Sequence, residues 1–98
     1  MTYSEAKTKL LDILRSRFVG GDGGVVILDE WTVVKPYGWI LYYNSRKFVE
    51  SGDMLESLVG HGPVIVASAT GEVVETGSRL PGGVQIKSFE RERGLPSE

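Results

Sequence analysis

Few side chains in this sequence could carry out catalysis. His61 is the only histidine, and the 98 residues include no cysteine. A metal site with two histidines, a thiolate metal site and a cysteine nucleophile are therefore excluded within one chain. A Ser-His-Asp relay would have no base other than His61. Because His61 lies between two glycines in a turn, we expect an exposed loop side chain, with contact to a partner as the alternative.

Asp29 and Glu30 are neighbouring carboxylates, but their spacing does not suit paired acid and base chemistry. Adjacent side chains of a strand point to opposite faces and cannot flank one bond. We interpret them as a solvated sheet edge or as charges presented to a partner. Glu30 beside Trp31 resembles the acidic and aromatic pairs found at interfaces. The sequence predicts no catalytic, cofactor-binding or metal-binding residue.

Aromatic residues are concentrated in one stretch, and they admit three interpretations. They are Trp31, Tyr37, Trp39, Tyr42 and Tyr43. The first interpretation is cross-strand packing, the second is a protein-binding face, and the third is stacking on single-stranded nucleic acid. The net charge of −2 and the few lysines and arginines nearby argue against nucleic acid. The candidate partner-binding residues are therefore Asp29, Glu30, Tyr37, Tyr42 and His61.

The element that precedes these residues is predicted to be a helix. Thr2 and Glu5 have the spacing of a capping box, and Ser4 is the alternative cap. Apolar residues then recur at helical steps at Ala6, Leu10, Ile13, Leu14 and Phe18. Glycines at 20–21 end the helix, and the run 20–24 follows a helix instead of opening one. It therefore connects elements and does not bind phosphate.

Two strands are predicted around the turn Lys35-Pro36-Tyr37-Gly38. Residues 25–34 are rich in β-branched side chains, and Asp29 interrupts the apolar face of this strand. In the returning strand 39–44, Trp39, Leu41 and Tyr43 share one face. The two strands should form an antiparallel hairpin that buries Trp39 and one of Tyr42 or Tyr43. Glu30 and Tyr37 are then the outward residues best placed for binding.

The remainder of the chain predicts short helices and a second hairpin. Residues 45–59 are helical in two pieces, and strands follow at 63–69 and 72–76. Residues 84–93 form a last helix, with Val84, Phe89 and Ile86 inward, or a strand over 84–88. We expect an α+β fold: an antiparallel four-stranded sheet with an N-terminal helix and short helices packed on it. Residues 1–93 form one domain, and 94–98 form a disordered tail.

Three blocks of this sequence follow one another as in a known family. They are Asp29-Glu30 with Lys35–Trp39 and Tyr42–Ser45, then Gly60–Val66, and then Thr70–Glu72 with Thr76–Ser78 and Phe89-Glu90. Over residues 5–90 the chain resembles the immunity protein 35 family, also known as the YrhB-like domain. His61 departs from the asparagine that is usual in the Gly-Asn-Gly-Pro of that family. Trp39 matches the tryptophan of the family.

The resemblance implies a bacterial α+β domain that binds and neutralises a cognate secreted toxin without being an enzyme. A member of the family has been regarded as a small heat-stable chaperone, so a chaperone-like or general protein-binding module is the alternative. The expected partner is a protein, with no cofactor, nucleic acid or membrane involved. A dimer through a sheet edge is left open. No secretory segment is visible, and we expect the cytoplasm.

Overall fold

The computed structural model describes residues 1–17, 24–53, 61–77 and 81–96. Three helices and six strands lie in this part of the chain. They are α1 Tyr3–Arg17, β1 Val25–Ile27, β2 Val33–Lys35, β3 Gly38–Leu41, β4 Tyr43–Ser45, α2 Arg46–Ser51, β5 Val64–Ala67, β6 Val73–Glu75 and α3 Gly82–Arg93. A single 3₁₀ turn, Asp29–Trp31, separates β1 from β2. The predictions for Phe18, for glycines 20–23 and for the second helical piece, 54–59, lie outside the described residues.

Helix α1 begins at the predicted capping box. The Thr2 hydroxyl accepts a hydrogen bond from the Glu5 amide at 3.2 Å, and the Thr2 amide donates to Glu5 Oε1 at 2.8 Å. This reciprocal pair satisfies two amides that the first turn leaves without helical partners. One face of the helix is fully buried along Ala6, Leu10 and Leu14. The predicted apolar stripe is therefore confirmed over these residues.

The main sheet is antiparallel and has four strands in the order β2-β3-β5-β6. It is covered on both faces, because α1 packs on one and α3 on the other. The α1 side contains Ala6, Leu10, Leu14, Ile27, Leu41, Tyr43, Val64 and Val66. The α3 side contains Ile40, Ile65, Ile86 and Phe89. Alternating residues of the central strands thus enter separate clusters, as the period of two requires.

The α+β class is confirmed, but the arrangement of strands differs from the single four-stranded sheet that we predicted. Strands β1 and β4 form a separate two-stranded antiparallel sheet. Ile27 pairs with Tyr43 there, whereas Val33 pairs with Ile40 in the main sheet. Between these pairs, the segment 28–32 has five residues, whereas the returning segment 41–42 has two. The excess of three is the length of the 3₁₀ turn, which divides the predicted strand 25–34.

The last segment is a helix, so the strand alternative over 84–88 is wrong. Helix α3 ends at Gly94, whose φ of 64° is the left-handed conformation that glycine adopts readily. Ile86 and Phe89 are buried as expected, but Val84 is 49% exposed and does not face inward. Val84 lies in the first turn of α3. Beyond the cap, Leu95 packs against the α3-side cluster.

The short helix α2 follows β4 directly. The Ser45 hydroxyl accepts from the Phe48 amide at 3.1 Å and caps its start. Gly52, with a φ of 73°, ends it. The first of the two predicted helical pieces is therefore present. Within the described ranges, no helix is long and apolar enough to cross a membrane.

Candidate functional site

The outer edge of the main sheet exposes large apolar side chains. Trp31 is 63% exposed, Val33 41% and Val34 75%. Trp31 lies in the 3₁₀ turn, two residues before the first β2–β3 pair, which is Val33 with Ile40. The centroid of its ring is 6.1 Å from that of the Tyr42 ring. We call Trp31, Val33, Val34 and Tyr42 the β2 edge patch; the side chain of Val34 lies on the opposite face of the strand from that of Val33. Glu30 is exposed beside this patch.

Asp29 fastens the 3₁₀ turn to helix α1. Lys7 Nζ lies 2.7 Å from Asp29 Oδ1, and the Tyr3 hydroxyl donates to the same oxygen at 2.8 Å. The Tyr3 oxygen is also 2.7 Å from the Thr32 hydroxyl. The Lys7 contact, followed by that of Tyr3, lowers the pKa of the Asp29 carboxyl. Asp29 is thus held by the fold, while Glu30 points into solvent next to Trp31.

Tyr37 does not lie outward at the tip of the hairpin, where the sequence analysis placed it. Its hydroxyl donates to Glu90 Oε2 at 2.7 Å, and its ring lies 5.8 Å from that of Phe89. Lys35 Nζ is 3.2 Å from the same Glu90 oxygen. Burial, and then the bond to Glu90, raise the pKa of Tyr37 well above its usual value. This cluster ties the β2–β3 turn to helix α3.

His61 is half-buried, in contrast to the exposed loop side chain expected from its flanking glycines. Its ring stacks on Tyr43 at 4.2 Å between centroids, and Nε2 lies 3.0 Å from the Tyr43 carbonyl oxygen. His61, Tyr42 and Gln85 line a shallow groove of about 300 Å³. The described lining residues of this groove include no carboxylate, lysine or arginine.

The described residues offer no metal centre. Among them, no group of three or more histidine, aspartate or glutamate side chains could hold an ion. The buried carboxylate of Glu90 is occupied by Tyr37 and Lys35. Among the described residues, the β2 edge patch contains three of the exposed large hydrophobic side chains, namely Trp31, Val33 and Val34.

Two features of this region were not predicted from the sequence. Val33 and Val34 were assigned to the strand 25–34, and their exposure was not predicted. No connection was predicted between Lys35 and Glu90, which are 55 positions apart. A signal for the first feature was present, because Asp29 interrupts the apolar face of the strand where the 3₁₀ turn occurs. No local pattern announces the second.

Comparison with known proteins identifies the family. A family model described as immunity protein 35 matches residues 4–92. This chain belongs to the immunity protein 35 family. An Escherichia coli (strain K12) protein described as uncharacterized protein YrhB is 31% identical over 62 residues, which is 60% of this chain and 66% of that protein. The match thus spans slightly less than two thirds of that relative. No solved structure matches the chain.

Two of the residues that carry the family resemblance have structural roles in this chain. Gly38 has a φ of 154°, and a Cβ added to it would lie 2.0 Å from the Val66 carbonyl oxygen. Only glycine permits this close approach of β3 and β5. Trp39 packs against the α1-side cluster, and its ring is 6.2 Å from that of Tyr3. The exposed part of the same region is the β2 edge patch.

Proposed function

We propose that this chain is an immunity protein that neutralises a toxin by binding it and covering its active surface. We place the contact at the β2 edge patch. Membership in an immunity-protein family supports binding to a protein partner and a role without catalysis. The observation that carries the location is the exposure of Trp31 at 63%, beside two exposed valines.

The patch has the composition of an interface centre. Tryptophan and tyrosine provide large contact areas with few rotatable bonds and dominate the binding energy of many interfaces. The ring of Tyr42 packs against Trp31 and limits its motion before binding, which lowers the entropy lost on association. Of the five candidate residues, Glu30 and Tyr42 belong to this region directly. Asp29 acts on it by holding the 3₁₀ turn.

Electrostatics favour a basic partner at this surface. Glu30 is exposed, and the nearby Lys35 is engaged with the buried Glu90. An acidic rim increases the rate at which a basic surface associates and orients the encounter. Neutralisation would then be steric, because the bound domain excludes substrate from the toxin. Tyr37 and His61 contribute by supporting the fold around the contact.

The test is rescue of cells that express the toxin encoded beside the gene for this chain. The wild-type chain should restore growth and bind the purified toxin. Trp31→Ala should weaken binding by about 2 kcal/mol, which is about thirty-fold in Kd, and should reduce rescue. Val84→Ala removes another exposed apolar side chain, on α3, and should leave both unchanged.

Two outcomes would contradict the proposal. Failure of the wild-type chain to bind or protect against that toxin would reject the immunity function. Equal binding by wild type and Trp31→Ala, with both folded by circular dichroism, would reject the location. Circular dichroism is needed because Trp31 also contacts Tyr42.

A chaperone-like module is the second candidate function, and the same exposed apolar side chains favour it. Such surfaces bind unfolded clients with little selectivity. It predicts that the chain suppresses the aggregation of heated luciferase at an equimolar ratio and that Trp31→Ala suppresses it less. Unchanged aggregation in the presence of the wild-type chain would remove this candidate.

A further inference from the structure

One hydrogen bond of Tyr37, the residue directly before β3, shows in which direction the backbone groups of β3 point. The Ser68 amide donates to the Tyr37 carbonyl oxygen at 2.9 Å, so the backbone of Tyr37 points toward β5. Backbone direction alternates along a strand, and therefore Trp39, paired with Val66, also points toward β5. The residues between them point toward β2.

The same alternation turns the backbone groups of one residue of β2 away from the sheet. Gly38 and Ile40 face β2, and their partners there are Lys35 and Val33. These two residues therefore direct their amide and carbonyl groups into the sheet. Val34 lies between them and directs its amide and carbonyl away from β3, past the edge of the sheet. Its side chain is also 75% exposed.

The free edge is short, because both of its ends are blocked. The Thr32 amide donates to the Asp29 carbonyl oxygen at 3.2 Å within the 3₁₀ turn. Pro36 has no amide hydrogen. Of the described residues 32–36 along this edge, Val34 is therefore the one that offers an outward amide. A short edge of this kind resists uncontrolled aggregation but still accepts one strand whose side chains fit the neighbouring surface.

A second copy of this chain fits the edge poorly. In antiparallel pairing centred on Val34, only Val33–Lys35 of each copy would face each other, because the chain turns away from the edge at Pro36 and Tyr37. The three residues of β2 would also bury far less than the roughly 1,200 Å² of a stable interface. A different protein that carries a lysine or arginine near an apolar residue would satisfy both Glu30 and the β2 edge patch.

We propose that the partner adds a strand to β2: an extended, basic and apolar segment of the toxin pairs with the backbone of Val34, and its cation meets Glu30. This inference rests on the proposed function and specifies how the contact is made. The hydrogen bonds would supply orientation, while Trp31 and Val33 would contact the side chains of the added segment.

The experiment uses the full chain and the toxin encoded by the neighbouring gene, purified as a catalytically inactive variant. Val34→Pro deletes the outward amide but no hydrogen bond of the sheet, since proline is tolerated at such edge positions. We expect at least a tenfold rise in Kd. Val34→Lys should have a similar effect, whereas Val84→Lys, the same change at an exposed valine of α3, should stay within twofold.

Hydrogen exchange of the wild-type chain gives a second measurement that needs no variant. The Val34 amide should exchange at least tenfold more slowly in the complex. Protection of this amide tests strand addition to β2 even if Val34→Pro proves unstable. Glu30→Lys should lower the association rate at low salt severalfold more than Glu92→Lys, which makes the same change in net charge on α3.

The possible results separate the two proposals. If the toxin binds and Val34→Lys weakens binding, but the Val34 amide stays unprotected, the patch is the contact and strand addition is wrong. If the toxin binds all Val34 variants equally, its contact lies on another face. Absence of binding to the wild-type chain rejects the immunity function, and strand addition with it.

Discussion

The cluster of Tyr37, Lys35 and Glu90 should be a main determinant of stability, and Tyr37→Phe tests it most cleanly. Glu90 is only 3% exposed, and Tyr37 and Lys35 contact its carboxylate at 2.7 and 3.2 Å. Phenylalanine keeps the ring against Phe89 and deletes only the hydroxyl. A hydrogen bond to a charged group contributes about 1.5–3 kcal/mol to folding. We expect a loss of that size in the free energy of unfolding.

The loss should be measured by urea unfolding and by thermal melting followed by circular dichroism. For a domain of this size, 1.5–3 kcal/mol corresponds to a fall in Tm of roughly 6–24 °C. Tyr42→Phe is the matched control, because the Tyr42 hydroxyl bonds to no described residue. It should change stability by less than about 0.5 kcal/mol. Equal stability of Tyr37→Phe and the wild-type chain would refute the reasoning.

Glu90→Gln examines the charge in the same cluster. It leaves the Lys35 side chain, which is 15% exposed, without its carboxylate. Removing one partner of a buried ion pair costs about 3–5 kcal/mol, and we expect the lower end because Lys35 retains some access to water. A loss smaller than that of Tyr37→Phe would mean that the ion pair adds little.

The pH dependence follows from the raised pKa of Tyr37. In the unfolded chain this tyrosine ionises near its ordinary pKa of 10.0, whereas folding keeps it protonated to higher pH. Its contribution is therefore fully present below pH 10 and is lost as the pH rises above that value. The difference in stability between the wild-type chain and Tyr37→Phe should narrow above pH 10. A constant difference up to pH 11.5 would contradict this.

Three further changes test the elements that support the site. Gly38→Ala should lower the free energy of unfolding in urea by about 3 kcal/mol or more, because the added Cβ would collide with the Val66 carbonyl. If this variant were as stable as the wild-type chain, β3 and β5 would have to separate easily. Thr2→Ala should lower the free energy of unfolding, measured by thermal melting, by about 1 kcal/mol, and Ser4→Ala should lower it much less. The reverse order would show that Ser4 caps α1. Asp29→Asn should cost under about 1 kcal/mol at neutral pH. Because the Asp29 pKa is lowered, this cost should disappear as the pH falls below about 4; a cost that persists at pH 2 would show that it does not come from the charge.

Local pattern predicted the elements that depend on neighbouring residues. The capping box and apolar spacing specify α1, because caps and helix faces are formed within a few residues. The alternation in 39–44 correctly assigned Trp39, Leu41 and Tyr43 to one cluster and Ile40 to the other. The turn between the two strands was correctly predicted, but the structure makes Gly38 the first residue of β3, and its closeness to β5 was not predicted.

The functional surface was predicted less well, since exposure depends on what the rest of the chain covers. Glu30 and Trp31 were recognised as an interface pattern, and the structure exposes both. Tyr37 was placed outward, but the Glu90 carboxylate draws its hydroxyl inward. His61 was expected to be exposed, but Tyr43 provides a ring for it to stack on.

The sequence alone therefore determined the α+β class, the position of α1 and the two faces of the central strands, because these follow from short-range periodicity. Tertiary structure decided the rest. The contacts of Asp29 with helix α1 hold a 3₁₀ turn within the predicted strand, and the edge position of β2 leaves Val34 exposed. Both outcomes depend on residues far apart in the chain. Asp29 marks the position of the turn in the sequence, but the contacts that hold the turn and the edge position of β2 are not local. Together the turn and the exposed edge form the surface that we propose binds the toxin.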